Sequence, residues 1–248
     1  MAISSSPIYA DSAQERISDT NLALTTTQDI PADTTIVIGG GHDNTSATAP
    51  TVTGIDTPGG ESATWTINNG SNSVSTGAGA GIRGFLAIIK TTVQWNSGTT
   101  ITVTYSAAIL AKTMNLSTWT GAQGVFKSVT SNTVSSGSAS TTSATIVVGE
   151  LCIGAAFQET NAAPAVDSDT LNGSWAGADA GINTSGGSAS AQIGSRLQYK
   201  LPSGTNAQVF NPTQTAEDGV ILGVVEVATA TAKSTVFRRN PHNGLYMR

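Results

Sequence analysis

Apolar residues in this chain recur in short, β-branched runs broken by glycine, asparagine, serine or proline, and almost nowhere at the i, i+3, i+4, i+7 spacing of a helix. That pattern excludes helical bundles and alternating βα folds, leaving an antiparallel all-β protein. Strands are expected near Leu22–Thr26, Thr34–Ile38, Thr51–Ile55, Ala63–Ile67, Gly84–Gln94, Thr100–Tyr105, Thr113–Thr118, Thr142–Val147, Glu150–Gln158, Ala191–Tyr199, Gln208–Phe210 and Val220–Val227. Residues Ile101 to Tyr105 alternate cleanly, so one face is expected to be buried and the other wet. Residues Phe85 to Ile89 are continuously apolar and are expected to cross the centre. Asn69-Gly70 and Asn172-Gly173 suit positive-φ turns, and Ser97-Gly98 a hairpin turn between Trp95 and Thr100. Glycine and serine mark loops over Gly39–Thr48, Ser75–Gly84 and Asn183–Ser190. Many strands at short spacing predict an antiparallel β-sandwich, jelly-roll-like, with extended terminal arms. The expected organisation is an arm over 1–18, a single sandwich over 19–230 and a basic, aromatic tail over 231–248, with no internal repeat evident.

Composition decides between order and disorder. Charged residues are only 11% and aromatics 5%, but disordered chains are usually charge-rich and poor in β-branched residues. Recurrent Val, Ile and Thr favour ordered strands. The apolar fraction is 38%, which predicts a thin core. Eight of the sixteen acids precede Thr64, opposed there only by Arg16, whereas the last sixteen residues hold Lys233, Arg238, Arg239 and Arg248 and no side-chain acid. Cations so spread make a poor nucleic-acid patch; an acidic protein neighbour suits the tail better. A single cysteine, Cys152, excludes an internal disulfide and reads as a small buried hydrophobe. Neither a secretion signal nor a membrane-length apolar run is present, so the expectation is synthesis in the cytoplasm without membrane association.

Motifs for chemistry are few. Gly79-Ala-Gly-Ile-Arg-Gly84 matches the dinucleotide fingerprint, but a Ser/Gly loop precedes it and a strand follows, so it lacks the strand-to-helix context. Asp167, Asp169 and Asn172 sketch a loose calcium loop, although the register and the final glutamate of an EF-hand are absent. Short polar side chains of this kind also build Asx turns. The histidines, His42 and His242, are far apart, and no nucleophile elbow or metal-ligand cluster occurs. Glu150, Glu159 and Glu226 are the carboxylates open to glycosidase chemistry. Of four tryptophans, Trp95 and Trp119 lie in or beside strands and read as core, while Trp175 follows a turn and is the candidate for stacking on a glycan. Sequons at Asn44, Asn69, Asn115 and Asn172 are chance matches in a Ser/Thr-rich chain. The expectation is a protein without catalysis or cofactor.

Several stretches resemble a β-sandwich domain of tailed-bacteriophage structural proteins: Ser97 to Tyr105, Gly149 to Ala155, Asp167 to Trp175, Gln198 to Lys200, Gly204 to Pro212 and the strand Val220–Val227. The likeness covers roughly Leu22 to Val227 and lies in strand-and-turn order. It implies a virion role, as a capsid decoration or cement protein or a minor tail protein, with other virion proteins as partners and a homo-oligomeric, for instance trimeric, state. The fibre or collagen-like region of many tail adhesins is missing, and a basic, aromatic tail stands instead. In it Phe237, Arg238, Arg239 and Tyr246 are residue types enriched at interface hot spots and are the expected assembly anchors. The alternative is a carbohydrate-binding module for host-surface glycans, working through Trp175.

Overall fold

The computed structural model describes residues 2–43, 50–72, 81–135, 138–185, 192–215 and 217–228, and contains no helix among them. In the first half, β1 (Tyr9–Glu15) pairs β8 (Lys112–Trp119), β2 (Asp19–Thr25) pairs β7 (Thr100–Ile109), and β3 (Thr35–Asp43) pairs β6 (Ile82–Lys90), all antiparallel. Pairing first with last, second with next-to-last and third with third-from-last is the path of a long hairpin rolled up on itself, a jelly roll. With β4 (Val52–Ile55) beside β7 and β5 (Thr66–Asn72) beside β6, the sheets read β1-β8-β3-β6-β5 and β2-β7-β4.

The second half repeats this path. β9 (Ala122–Val134) pairs β16 (Asp218–Val227), β10 (Ala144–Ile146) pairs β15 (Asn206–Gln208), and β11 (Leu151–Gln158) pairs β14 (Gly194–Lys200). Short β12 (Ala176–Gly177) and β13 (Ile182–Asn183) line β14 as β5 lines β6. An internal repeat is therefore present where the sequence showed none. Its traces are in the joints: Ser97-Gly98-Thr99 leads into β7 and Ser203-Gly204-Thr205 into β15, while Trp65 precedes β5 and Trp175 precedes β12. Asp33 (φ 63°) and Gly149 (φ 92°) hold the same place two residues before β3 and β11.

Four sheets stack with three apolar layers between them. The first layer joins β2-β7-β4 to the five-stranded sheet through Leu22, Leu24, Ile101, Val103, Ile36, Ile38, Phe85 and Leu116. A second joins the two large sheets through Val37, Leu86, Ile88, Ile153, Phe157 and Ile221. The third joins the second large sheet to β10-β15 through Cys152, Ala156, Leu222, Ile146, Trp175 and Phe210. β3, β8 and β11 are thus buried along their whole length; β11 and most of β3 read accordingly as apolar or small runs, whereas β8 carries the buried polar residues Lys112 and Asn115 between its apolar ones.

Phe157 fixes the contact between the rolls. A Cβ at Gly41, Gly84 or Gly219 would overlap its side chain, so three strands use glycine to admit one ring. Contacts across this layer exchange under a swap of the halves: β14 lies on β3 and β8 while β6 lies on β11 and β16, and β5 flanks β9 while β1 flanks β13. The two rolls meet by a pseudo-two-fold, the geometry of an isologous interface.

Several local expectations change. Residues Gly39 to Asp43 extend β3 instead of opening a loop, because Gly39 and Gly41 make room there for Leu197, Ala155 and Phe157 of the second roll. Asn69-Gly70 lies inside β5 at a register irregularity, with the Asn69 amide bonded to both the N–H and the C=O of Val52. The Ser97-Gly98 turn forms, with Gly98 at φ 87°, but the residues around it pair with Thr25 and Ile30 rather than with one another. The expected arm contributes β1, and β9, the longest strand, was not anticipated. The thin core becomes three layers, since small residues let sheets be buried on both faces.

Candidate functional site

The Asp167–Asn172 loop is closed on itself. Asp167 accepts from the N–H groups of Asp169 and Asn211 (both 2.8 Å), one on each oxygen. Asp169 accepts from the Leu171 N–H with one oxygen and from Lys200 Nζ (3.0 Å) and Gln208 Nε2 (2.7 Å) with the other. Asn172 takes the left-handed conformation, φ 55°, that an Asn-Gly turn predicts. All four carboxylate oxygens are engaged, and the fully buried Lys200 ammonium stands where a bound cation would. Burial works to raise the Asp169 pKa, and the bonds from Gln208, Leu171 and Lys200 outweigh it and hold it low. Among the described residues no group of three or more His, Cys, Asp or Glu could hold a metal ion.

Trp175 is not a stacking platform. It is only 5% exposed, packs on Phe210 with ring centroids 4.7 Å apart, and lies under Lys200. The turn before it folds inward because an indole in this place closes the third apolar layer. Trp95 and Trp119 are fully buried, as expected, and Trp65 packs edge-on against Trp95. The large apolar side chains exposed among the described residues are all aliphatic. Cys152 is buried, which pushes its thiol up to about 12.

Of the three carboxylates, Glu150 and Glu226 both act on Lys127 at the start of β11, and Glu159 lies at the other end of that strand. Glu150 pairs with Lys127 and accepts the Val147 N–H, closing the β10–β11 turn. Glu159 instead faces Glu217, which the sequence did not single out. The Glu159 N–H donates to the Glu217 carbonyl (2.8 Å), and burial, Glu217 and Asp43 together push the Glu159 carboxyl up to about 7. Asp218, next along β16, is also pushed up to about 7 by burial, against the opposing bond from the Ala139 N–H. His42 is fully buried, donates from Nε2 to the Pro50 carbonyl, and is driven down to about 4 by desolvation. Like-charged carboxyls at the far end of β3 and β11 can hold a proton between them.

At the opposite pole the two ends of the body meet. The Ser4 N–H donates to the Thr120 carbonyl (3.1 Å), and the Ala228 N–H to the Gly121 carbonyl (2.7 Å). Gly121 sits at φ 73°, and a Cβ on it would overlap the Ala2 carbonyl. Back at the His42–Asp43 end of β3, Lys112, fully buried and opposite His42, ties the Glu15–Asp19 link to β8: it pairs with Asp19 and Glu15 and donates to the Ile17 and Ile109 carbonyls. The anchor residues Phe237, Arg238, Arg239 and Tyr246, and His242 with them, lie outside the described residues.

Fold and sites together define an all-β body of two jelly rolls whose buried charges are spent on its own loops. No protein-family model, no curated protein and no solved structure matches this chain.

Proposed function

We propose that this protein is a structural component of a tailed-bacteriophage virion, attached to the capsid or tail surface as a decoration, cement or minor tail protein, and that it acts by surface contact rather than catalysis. The observation that carries the reading furthest is the shared pole: residues Ala2 to Ser4 and Ala228 both lie against Thr120-Gly121, so both ends of the described body lie at one pole. An attachment module needs that arrangement, with anchors at one pole and the body held away from it. The resemblance in strand-and-turn order supplies the virion setting. A surface rich in Ser, Thr and Ala and poor in lysine and glutamate loses little side-chain entropy against neighbours. The glycan-binding alternative has lost its platform with the burial of Trp175.

Deleting Thr235–Arg248 is expected to leave the fold intact and abolish attachment to particles. Normal incorporation of the truncated chain would overturn the proposal. Trp175→Ala is expected to lower the thermal midpoint without changing a silent glycan array.

A further inference from the structure

Among the described residues, Lys112 is the one fully buried lysine that two carboxylates contact. It heads β8 and stands directly opposite Glu15, the last residue of β1. Its Nζ lies 3.3 Å from a Glu15 oxygen and bonds Oδ1 of Asp19, the first residue of β2. The link from Glu15 to Asp19 folds around it, and the carbonyls of Ile17 (2.9 Å), Ile109 (3.1 Å) and Asp19 (3.3 Å) complete its surroundings. One ammonium against two carboxylates leaves negative charge in excess at a place where any buried charge is costly. Asp19 itself is asymmetric: Oδ1 also accepts from the Asn21 N–H (3.1 Å), whereas Oδ2 has no bonding partner among the described residues. The Asp19 side chain is 44% exposed against 0% for Lys112, so the nitrogen is sealed from water while the carboxyl it meets has an outlet.

We propose that Lys112 and Asp19 condense into an intramolecular amide, with Glu15 carrying the proton between them. Glu15 takes one proton from the ammonium, and the freed amine attacks Cγ of Asp19. Oδ1, held by the Asn21 N–H, becomes the amide oxygen. The second proton leaving Nζ and the one on Glu15 pass to Oδ2, the Cγ–Oδ2 bond breaks, and water departs on the open side. Glu15 ends as the carboxylate it began as, nothing is oxidised or reduced, and no co-reactant is consumed. The amide keeps one N–H, which the Ile17 carbonyl can accept. Two charges vanish from a site where burial penalises both, and fixed proximity supplies the effective concentration that amide formation lacks in open water. The bond joins β2 to β8, and so ties together the two sheets of the first roll, β2-β7-β4 and β1-β8-β3-β6-β5. Linking residues 93 apart in sequence also restricts the unfolded chain, as a disulfide does.

Mass spectrometry of the purified full chain, denatured and cut with trypsin, tests this directly. An amidated Lys112 is no longer a cleavage site, so fragment 17–83 should appear joined to fragment 91–127, at their summed mass less one water. Lys112→Met, and separately Asp19→Ala, should each release 17–83 as a free fragment and lower the thermal midpoint. Glu15→Gln keeps both reacting groups and should remain largely uncondensed while still melting cooperatively. Wild-type protein that yields 17–83 and 91–112 as separate fragments would overturn the inference, and the wild-type result stands whether or not any variant folds. A water loss that persists in Lys112→Met would overturn it too, and complete condensation in Glu15→Gln would remove Glu15 from the step. The inference is independent of the virion reading, whose failure would appear separately as absence from particles.

Discussion

Buried ionisable side chains in this protein are explained by their nearest partners, and each has a consequence. Lys200 is fully buried with one carboxylate, Asp169, at 3.0 Å. Removing Asp169 leaves a buried charge alone, so Asp169→Ala should cost roughly 3 kcal/mol, whereas Lys200→Met should cost less, since an apolar side chain of similar length needs no partner. Chemical denaturation of both variants checks the order. Asp218 and Glu159 set a pH dependence. Their folded pKa values, about 7, lie above the unfolded values of 3.8 and 4.5, so the folded state keeps protons that the unfolded chain releases. Their contribution is full at low pH and is lost as pH rises through the window from about 4 to 7. His42, driven down to about 4 from 6.5, works the other way and costs stability as pH falls across its own window. The melting temperature of Asp218→Asn should therefore fall less than that of wild type between pH 5 and pH 8; parallel curves would contradict the assignment. None of these partnerships was legible in the sequence. Asp167, Asp169 and Asn172 were visible as a polar turn, but Lys200, which completes it, is 31 residues on from Asp169 and arrives on β14. Trp175 misled because the turn before it resembles an exposed loop.

Strands were legible where one rule governed them. β7 alternates because one face is wet, and β6 and β16 are continuously apolar because both faces are covered. β9 was missed because most of it is only partly buried at the edge of its sheet, so Gln, Lys, Ser, Thr and Asn are tolerated in it and the apolar pattern fades. Gly39 and Gly41 looked like a loop because the side chains that need them to be glycine, Leu197 and Ala155 for the first and Phe157 for the second, belong to the other roll. Gly84 has the same explanation: the last glycine of an apparent dinucleotide fingerprint makes room for a side chain. Gly84→Ala should destabilise by about 1–3 kcal/mol through overpacking, and Phe157→Leu in the same chain should recover part of the loss. A Gly84→Ala protein as stable as wild type would show that the rolls are packed differently.

At the scale of the molecule, the repeat of one strand path in both halves explains the size and the core. One roll of this composition has little to bury, but two placed face to face gain a shared layer between their large sheets. Polar pairs within that layer, Ser195 donating to Asn115 and Asn115 to Asp179 (both 2.6 Å), fix how the rolls sit. A core common to both halves predicts one calorimetric transition with equal calorimetric and van't Hoff enthalpies; two separate transitions would mean the rolls are independent. The repeat escaped the sequence because only joint residues such as Ser-Gly-Thr are retained, while Lys112 at the head of β8 stands where Asp218 heads β16. What such a body does follows from what its poles contact. Separating heads from tails of the purified particle and searching each for this chain by mass spectrometry tests the virion proposal most directly. Stoichiometric recovery with heads or with tails is the predicted result and tells decoration protein from tail component, whereas absence from both would contradict it.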